Sequence, residues 1–195
     1  MKKIFALLLV ALFGAAPLFA DDVADVKKVI VKDCELSAKG DLVGKLALYA
    51  PDYTETDSGG KTADYKQAKR LVLALDGKHP EEFLLMAVTA ELNVAEPPSE
   101  LMAKIREAAG NPEFVKQYEA AVPVIIKKHR EIYELQLKTL KFVSVKVEGG
   151  EATVVTECDS LDPLSGATTH KTVTSSLHKV DGSWKIYRCV IAEGK

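Results

Sequence analysis

The chain has 195 residues, with 28 acidic and 26 basic side chains and a formal charge of −2. That balance argues against a nucleic-acid partner, because phosphate binding wants a basic face. The length suffices for one domain with a real core.

The first stretch reads as an export signal rather than as part of the fold. Met1-Lys2-Lys3 is a basic start, Ile4 to Ala16 is apolar apart from Gly14, and Pro17 breaks the run before Ala20-Asp21-Asp22. This is the layout of a secretory signal peptide (residues 1–20) cut after Ala20, which predicts a periplasmic or secreted protein. The run is shorter than the roughly 20 apolar residues that span a bilayer. No later segment is apolar enough to span, so no membrane association is expected after cleavage.

Residues 21–195 are read as a single α+β domain. Asp22 to Ala38 predicts a helix, because Val23, Val26, Ile30, Cys34 and Ala38 form one stripe at spacings of three and four. Gly40 is a natural stop and Asp41 a natural N-cap. A short helix is expected over Leu42–Tyr49, ended by Ala50-Pro51-Asp52. Asp52–Thr56 reads as a strand, Asp57 to Gly60 as a turn, Lys61–Ala63 as a short return strand and Tyr65–Leu75 as a third helix.

From Pro80 to Thr139 the pattern is helical. One helix runs to about Asn93, Ala95 to Pro98 forms a linker, and a second helix covers Glu100–Ala109. A long third covers Pro112–Lys138, which Pro123 should kink or split. The period then changes to two. Strands are expected over Phe142–Val147 and Ala152–Cys158 around a Gly149-Gly150 turn, followed by a loop with Pro163. A closing hairpin of Thr168–Val180 and Ser183–Ile191 turns at Asp181-Gly182, with the only tryptophan, Trp184, just beyond.

The phrases ALYAPDYTETDSGGKT and VDGSWKIYRCV, in this order of elements, resemble the nuclear transport factor 2-like superfamily, which includes ketosteroid isomerase-like and SnoaL-like domains. The resemblance covers about Asp22–Leu75 and Leu140–Ile191. It implies a bent, mostly antiparallel sheet wrapped around N-terminal helices to form a cone with a pocket. The final strands would be its centre, and the helical block of about 80–139 an insertion. The acid–base sets of isomerase and dehydratase members do not map residue by residue onto this chain, so no catalytic residue is carried over.

Candidate ligand-binding residues come from the strands. His170, Thr172, Thr174, Ser176 and His178 share one face, and Lys171, Val173, Ser175, Leu177 and Lys179 the other. Parity does not choose which face looks into a cone. On the last strand Trp184, Ile186, Arg188 and Val190 alternate with Lys185, Tyr187, Cys189 and Ile191. Tyr53, Glu55 and Asp57 share a face of the first strand, where an acid opposite a strand histidine would be an acid–base pair.

Cys158 and Cys189 would lie two strand spacings apart, about 9–10 Å and beyond disulfide reach. If a bridge forms, it should join Cys34 to Cys189, slightly favoured over Cys158. One thiol is left over. No metal site or cofactor motif is present: there is no C-x-x-C, P-loop, G-x-G-x-x-G, H-E-x-x-H or G-x-S-x-G. His129 reads as a packed or partly exposed side chain rather than a functional one. Three functions remain open. The first is an exported domain binding a small apolar or amphipathic ligand or a protein partner. The others are an acid–base isomerase or lyase, and a structural homodimer.

Overall fold

A computed structural model describes residues 16–92, 94, 96–162 and 165–194. Residues 1–15 of the expected signal, Asn93 and Ala95 at the expected linker, and Pro163 in the expected loop lie outside the described residues.

The first helix, α1 (Ala16–Lys39), turns its predicted stripe inward: Val26, Ile30, Cys34 and Ala38 are all buried. It stops at Gly40, whose φ of 75° suits a residue without a side chain. A Cβ there would also come within 3.3 Å of Ile126, so this glycine admits a close helix crossing. Arg130 Nε donates to the Ala38 carbonyl at 2.9 Å, satisfying one orphan acceptor of the helix end. Asp41 caps α2 (Leu42–Leu46) by accepting from Gly44 N.

Strand β1 (Tyr49–Thr56) starts three residues before the expected point, and α2 is correspondingly shorter. The cause is tertiary. Ile186 N donates to the Leu48 carbonyl, and Tyr49 pairs with Ile186, so the sheet captures the chain ahead of Pro51. The register then slips between Tyr49 and Thr54. Pro51, which has no N–H to give, is exposed within that irregularity.

Strand β2 (Thr62–Asp64) returns antiparallel to β1, and Asp64 with Gln67 forms a capping box for α3 (Tyr65–Ala74). Helices α4 (Pro80–Leu92), α5 (Ser99–Ala109) and α6 (Pro112–Thr139) follow. Pro123 does not split α6, which continues past it as one helix. The ring is exposed.

The meander is β3 (Lys141–Glu148), β4 (Glu151–Leu161), β5 (Thr168–Val180) and β6 (Ser183–Glu193). The six strands lie in the order β2-β1-β6-β5-β4-β3. Only the β1–β6 pair is parallel. The closing hairpin, with Asp181 and Gly182 both at positive φ, is therefore the middle of a bent sheet. Its concave face carries Ala152, Val154, Leu177, Trp184 and Ile186, packed with Tyr53 against Val26 and Ile30 of α1. Trp184 Nε1 also donates to Asp22 Oδ1 at 3.2 Å, and Lys179 Nζ lies 2.6 Å from the same oxygen. The start of α1 is thus tied to the hairpin turn.

Simple alternation along β6 fails at one place. Ser176 pairs with Arg188 but Leu177 pairs with Ile186, so two β6 residues oppose one on β5. A bulge of this kind reverses side-chain parity beyond it. Trp184 and Ile186 face inward before the bulge, and Cys189 and Ile191 after it. The expected grouping of Trp184 with Arg188 is corrected accordingly: Arg188 is exposed. Among the described residues no helix is long and apolar enough to cross a membrane.

Candidate functional site

Two adjoining cavities open between the concave face and the helices. The larger, about 280 Å³, is walled by Leu42 and Leu46 of α2, Ala68, Leu71 and Val72 of α3, and Met86 of α4. Its polar wall is Lys45, Tyr49, Tyr53, Glu55, His129 and Tyr133. The smaller, about 90 Å³, lies deeper and is bordered by Asp33, Thr156, Ser175 and all three cysteines. Lys45, Tyr49, Glu55 and Tyr133 border both cavities and form the junction between them.

The junction is built from four elements. Lys45 comes from α2, Asp33 from α1, Tyr49, Tyr53 and Glu55 from β1, and His129 and Tyr133 from α6. On α6 the last two are four apart and share a face; their rings lie 4.6 Å apart. Lys45 Nζ donates to Tyr133 Oη at 2.8 Å and stands 3.6 Å from Asp33 Oδ2. Tyr53 Oη donates to Glu55 Oε2 at 2.7 Å, and the Tyr53 ring stacks on Tyr49 at 4.0 Å. Asp33 Oδ1 and His129 Nδ1 are buried with no hydrogen-bond partner. Such atoms are rare in native interiors and mark a place where a polar group is wanted.

The electrostatics follow from these neighbours. Burial works against the Lys45 charge, but Asp33, with Tyr133 and Glu55, outweighs it, and the Lys45 pKa is raised. Lys45 is therefore a firm cation. Burial first, then the adjoining Lys45 charge, push His129 down to about 4, against a smaller pull from the Ser37 carbonyl. His129 is thus neutral near neutrality. Burial, with Cys189 and Glu55 close by, raises the Tyr53 pKa. Tyr133 is raised as well; the pull of Lys45 is outweighed by burial together with Asp33 and Glu55. Burial pushes both Cys34 and Cys189 up to about 12, so neither is a ready nucleophile.

The structure divides the candidate residues in two. Tyr53 and Glu55 are brought together in the cavity. His170, His178 and Tyr187 lie on the convex face instead. His170 Nδ1 is 2.9 Å from Asp159 Oδ1. His178 stacks on Tyr187 at 4.8 Å, and Tyr187 Oη donates to Glu151 Oε2 at 3.1 Å. The pairing of a β1 acid with a strand histidine is corrected: among the described residues the only such contact in the sheet is His178 with Asp52 at 3.8 Å, outside the cone. Cys34, Cys158 and Cys189 are free thiols. The Cys34–Cys189 bridge is not made; Cys189 Sγ instead lies 3.6 Å from Ser175 Oγ.

Lys45, Asp33, His129 and Tyr133 were not singled out as site residues from the sequence. The i, i+4 spacing of His129 and Tyr133 placed them on one face. Nothing local in the sequence shows that α6 folds back over the mouth of the cone. Among the described residues no group of three or more His, Cys, Asp or Glu side chains is arranged to hold a metal ion.

No family model and no curated protein matches this chain. Solved structures do. An NTF2-like protein with a cystatin-like fold from Novosphingobium aromaticivorans is 15% identical, with a TM-score of 0.52, over 93% of this chain and 87% of that one. A ketosteroid isomerase-like protein from Erwinia carotovora atroseptica is 11% identical, with a TM-score of 0.46, over 89% and 97% respectively. An NTF2-like protein of unknown function from Shewanella oneidensis is 15% identical, with a TM-score of 0.44, over 87% and 97%. The first of these shows that the fold is the NTF2-like one.

Proposed function

We propose that this NTF2-like chain is an exported domain that binds a small amphipathic molecule in the cavity between sheet and helices. The observation that carries the reading is the division of the cavity wall. One side is alkyl, from Leu71, Val72 and Met86, and the other is the hydrogen-bonding cluster of Lys45, Tyr133, Glu55 and Tyr53. Small-molecule sites are mostly apolar concavities with a few convergent polar groups. At about 280 Å³ this one lies near the lower end of their usual range of roughly 300–1,000 Å³.

The test is mass spectrometry of small molecules that co-purify with the folded, signal-free protein, beside the cavity-filling variant Ala68→Trp. A molecule retained by the parent and lost from the variant is the expected result. Retention by both would place the site elsewhere and overturn the reading.

Acid–base chemistry in the same cavity is the second reading, favoured by the Glu55–Tyr53 hydrogen bond. Glu55 would take a proton from carbon beside a carbonyl, and the Tyr133 hydroxyl, polarised by Lys45, would stabilise the oxygen. Deuterium exchange into a ketone probe, lost in Glu55→Gln, would support it. No exchange above the buffer rate for a ketone shown to bind would end it.

Export rests on Met1–Ala20. Asp22, two residues beyond the proposed cut, contacts Trp184 and Lys179, so the cut would leave that tie on the mature side. Residues 21–195 then form the working unit. A mature protein beginning elsewhere than Asp21, by N-terminal sequencing, would overturn this.

A further inference from the structure

Resting on the reading that the cavity is a ligand site, we propose that its ligand is an organic cation, a primary or secondary amine carried on an apolar ring or short chain. Charge and hydrogen-bonding capacity at the junction point the same way. Asp33 and Glu55 both stand near the Lys45 ammonium. Lys45 is spoken for by Asp33 Oδ2 and Tyr133 Oη. The remaining negative charge is on Glu55, which borders both cavities and accepts a hydrogen bond from the neutral Tyr53 hydroxyl. His129 adds no positive charge, since it stays neutral down to about pH 4. Lys171 also borders the deep cavity but not the larger one, and among the described residues no ion pair joins it to Glu55.

The spare acceptor at the junction is Asp33 Oδ1, which is buried and unpartnered. A carboxylate head would bring negative charge beside Asp33 and Glu55 and has no proton to give Asp33 Oδ1. An ammonium supplies that donor and sets positive charge beside Glu55. The aromatic walls agree, because Tyr49 and Tyr53 present stacked ring surface beside Glu55, and ring faces attract cations. The alkyl wall of Leu71, Val72 and Met86 then takes the apolar body of the ligand.

The experiment is a calorimetric titration of the signal-free protein at neutral pH with three probes of one shape: cyclohexylmethylamine, cyclohexylmethanol and cyclohexanecarboxylate. Roughly tenfold tighter binding of the amine than of the carboxylate is expected, with the alcohol between them. Glu55→Gln should erase the preference for the amine over the alcohol. Ala68→Trp should weaken all three. A carboxylate that binds as tightly as the amine overturns the proposal. If binding is still lost in Ala68→Trp, that result leaves the cavity reading standing. Failure of all three probes to bind, or binding indifferent to Ala68→Trp, overturns both. The ranking in the parent protein needs no variant, so it decides the matter even if Glu55→Gln does not fold.

Discussion

The two faces of the central sheet are made from the same strands and serve opposite ends. On the concave face Thr156, Ser160 and Ser175 are buried beside Cys158 and Val154. On the convex face His170, His178, Tyr187, Glu151 and Asp159 pair among themselves at the surface. Ionisable groups are thus abundant where water screens them and sparse where it does not. The junction of Lys45, Asp33 and Glu55 stands out because it brings charge to the dry side. Carrying charge there has a desolvation cost, and the structure meets it with specific partners.

The contrast is sharpest for stability. Trp184→Ala removes a buried ring from the concave face together with its bond to Asp22, and should cost about 3–5 kcal/mol by urea unfolding. A cost below about 1 kcal/mol would show that the hairpin does not anchor the core.

Next in size is the junction. Lys45→Met leaves the Asp33 carboxylate without its cation and should cost about 3 kcal/mol. Adding Asp33→Leu should recover most of it, because a pair replaced by alkyl groups leaves no lone buried charge. A double variant as unstable as the sum of the two single ones would mean that they do not act as a pair.

A smaller effect concerns pH. His129 has a folded pKa of about 4 against an ordinary value of 6.5. Below 6.5 the unfolded chain therefore takes up a proton that the folded chain refuses. The stability from this group is complete above that value and falls as pH drops from about 6.5 to about 4. His129→Phe should flatten the fall in urea midpoint across that window, and an unchanged profile would locate the pH sensitivity elsewhere.

Smallest should be His178→Ala on the convex face. Its ring is partly exposed where it stacks on Tyr187, so a change within about 0.5 kcal/mol is expected. A loss comparable to that of Trp184→Ala would mean that the two faces are not the inside and outside described.

Much of the fold was legible in the sequence because its signals are local. The stripe of Val26, Ile30, Cys34 and Ala38, the stop at Gly40, the cap at Asp64 and the Asp181-Gly182 turn each act within a few residues. The meander followed from period-two alternation and short turns. The early start of β1 was not legible, since Tyr49 becomes strand only by pairing with Ile186, whose N–H bonds the Leu48 carbonyl from far along the chain. The inward turn of Cys189 was hidden for a similar reason. A bulge is a mismatch between two strands, and neither strand carries it alone.

The candidate site shows the same boundary. By itself the sequence determined the order of elements, the central hairpin and the placing of Tyr53 and Glu55 on one strand face, because each depends on backbone period and neighbouring residues. Only the tertiary structure decided which sheet face became the inside. It alone carried His129 and Tyr133 of α6 to Lys45 and Asp33, and left the histidines of β5 outside. Those outcomes depend on helix packing and on the cost of burying charge, which are set by partners far apart in the chain.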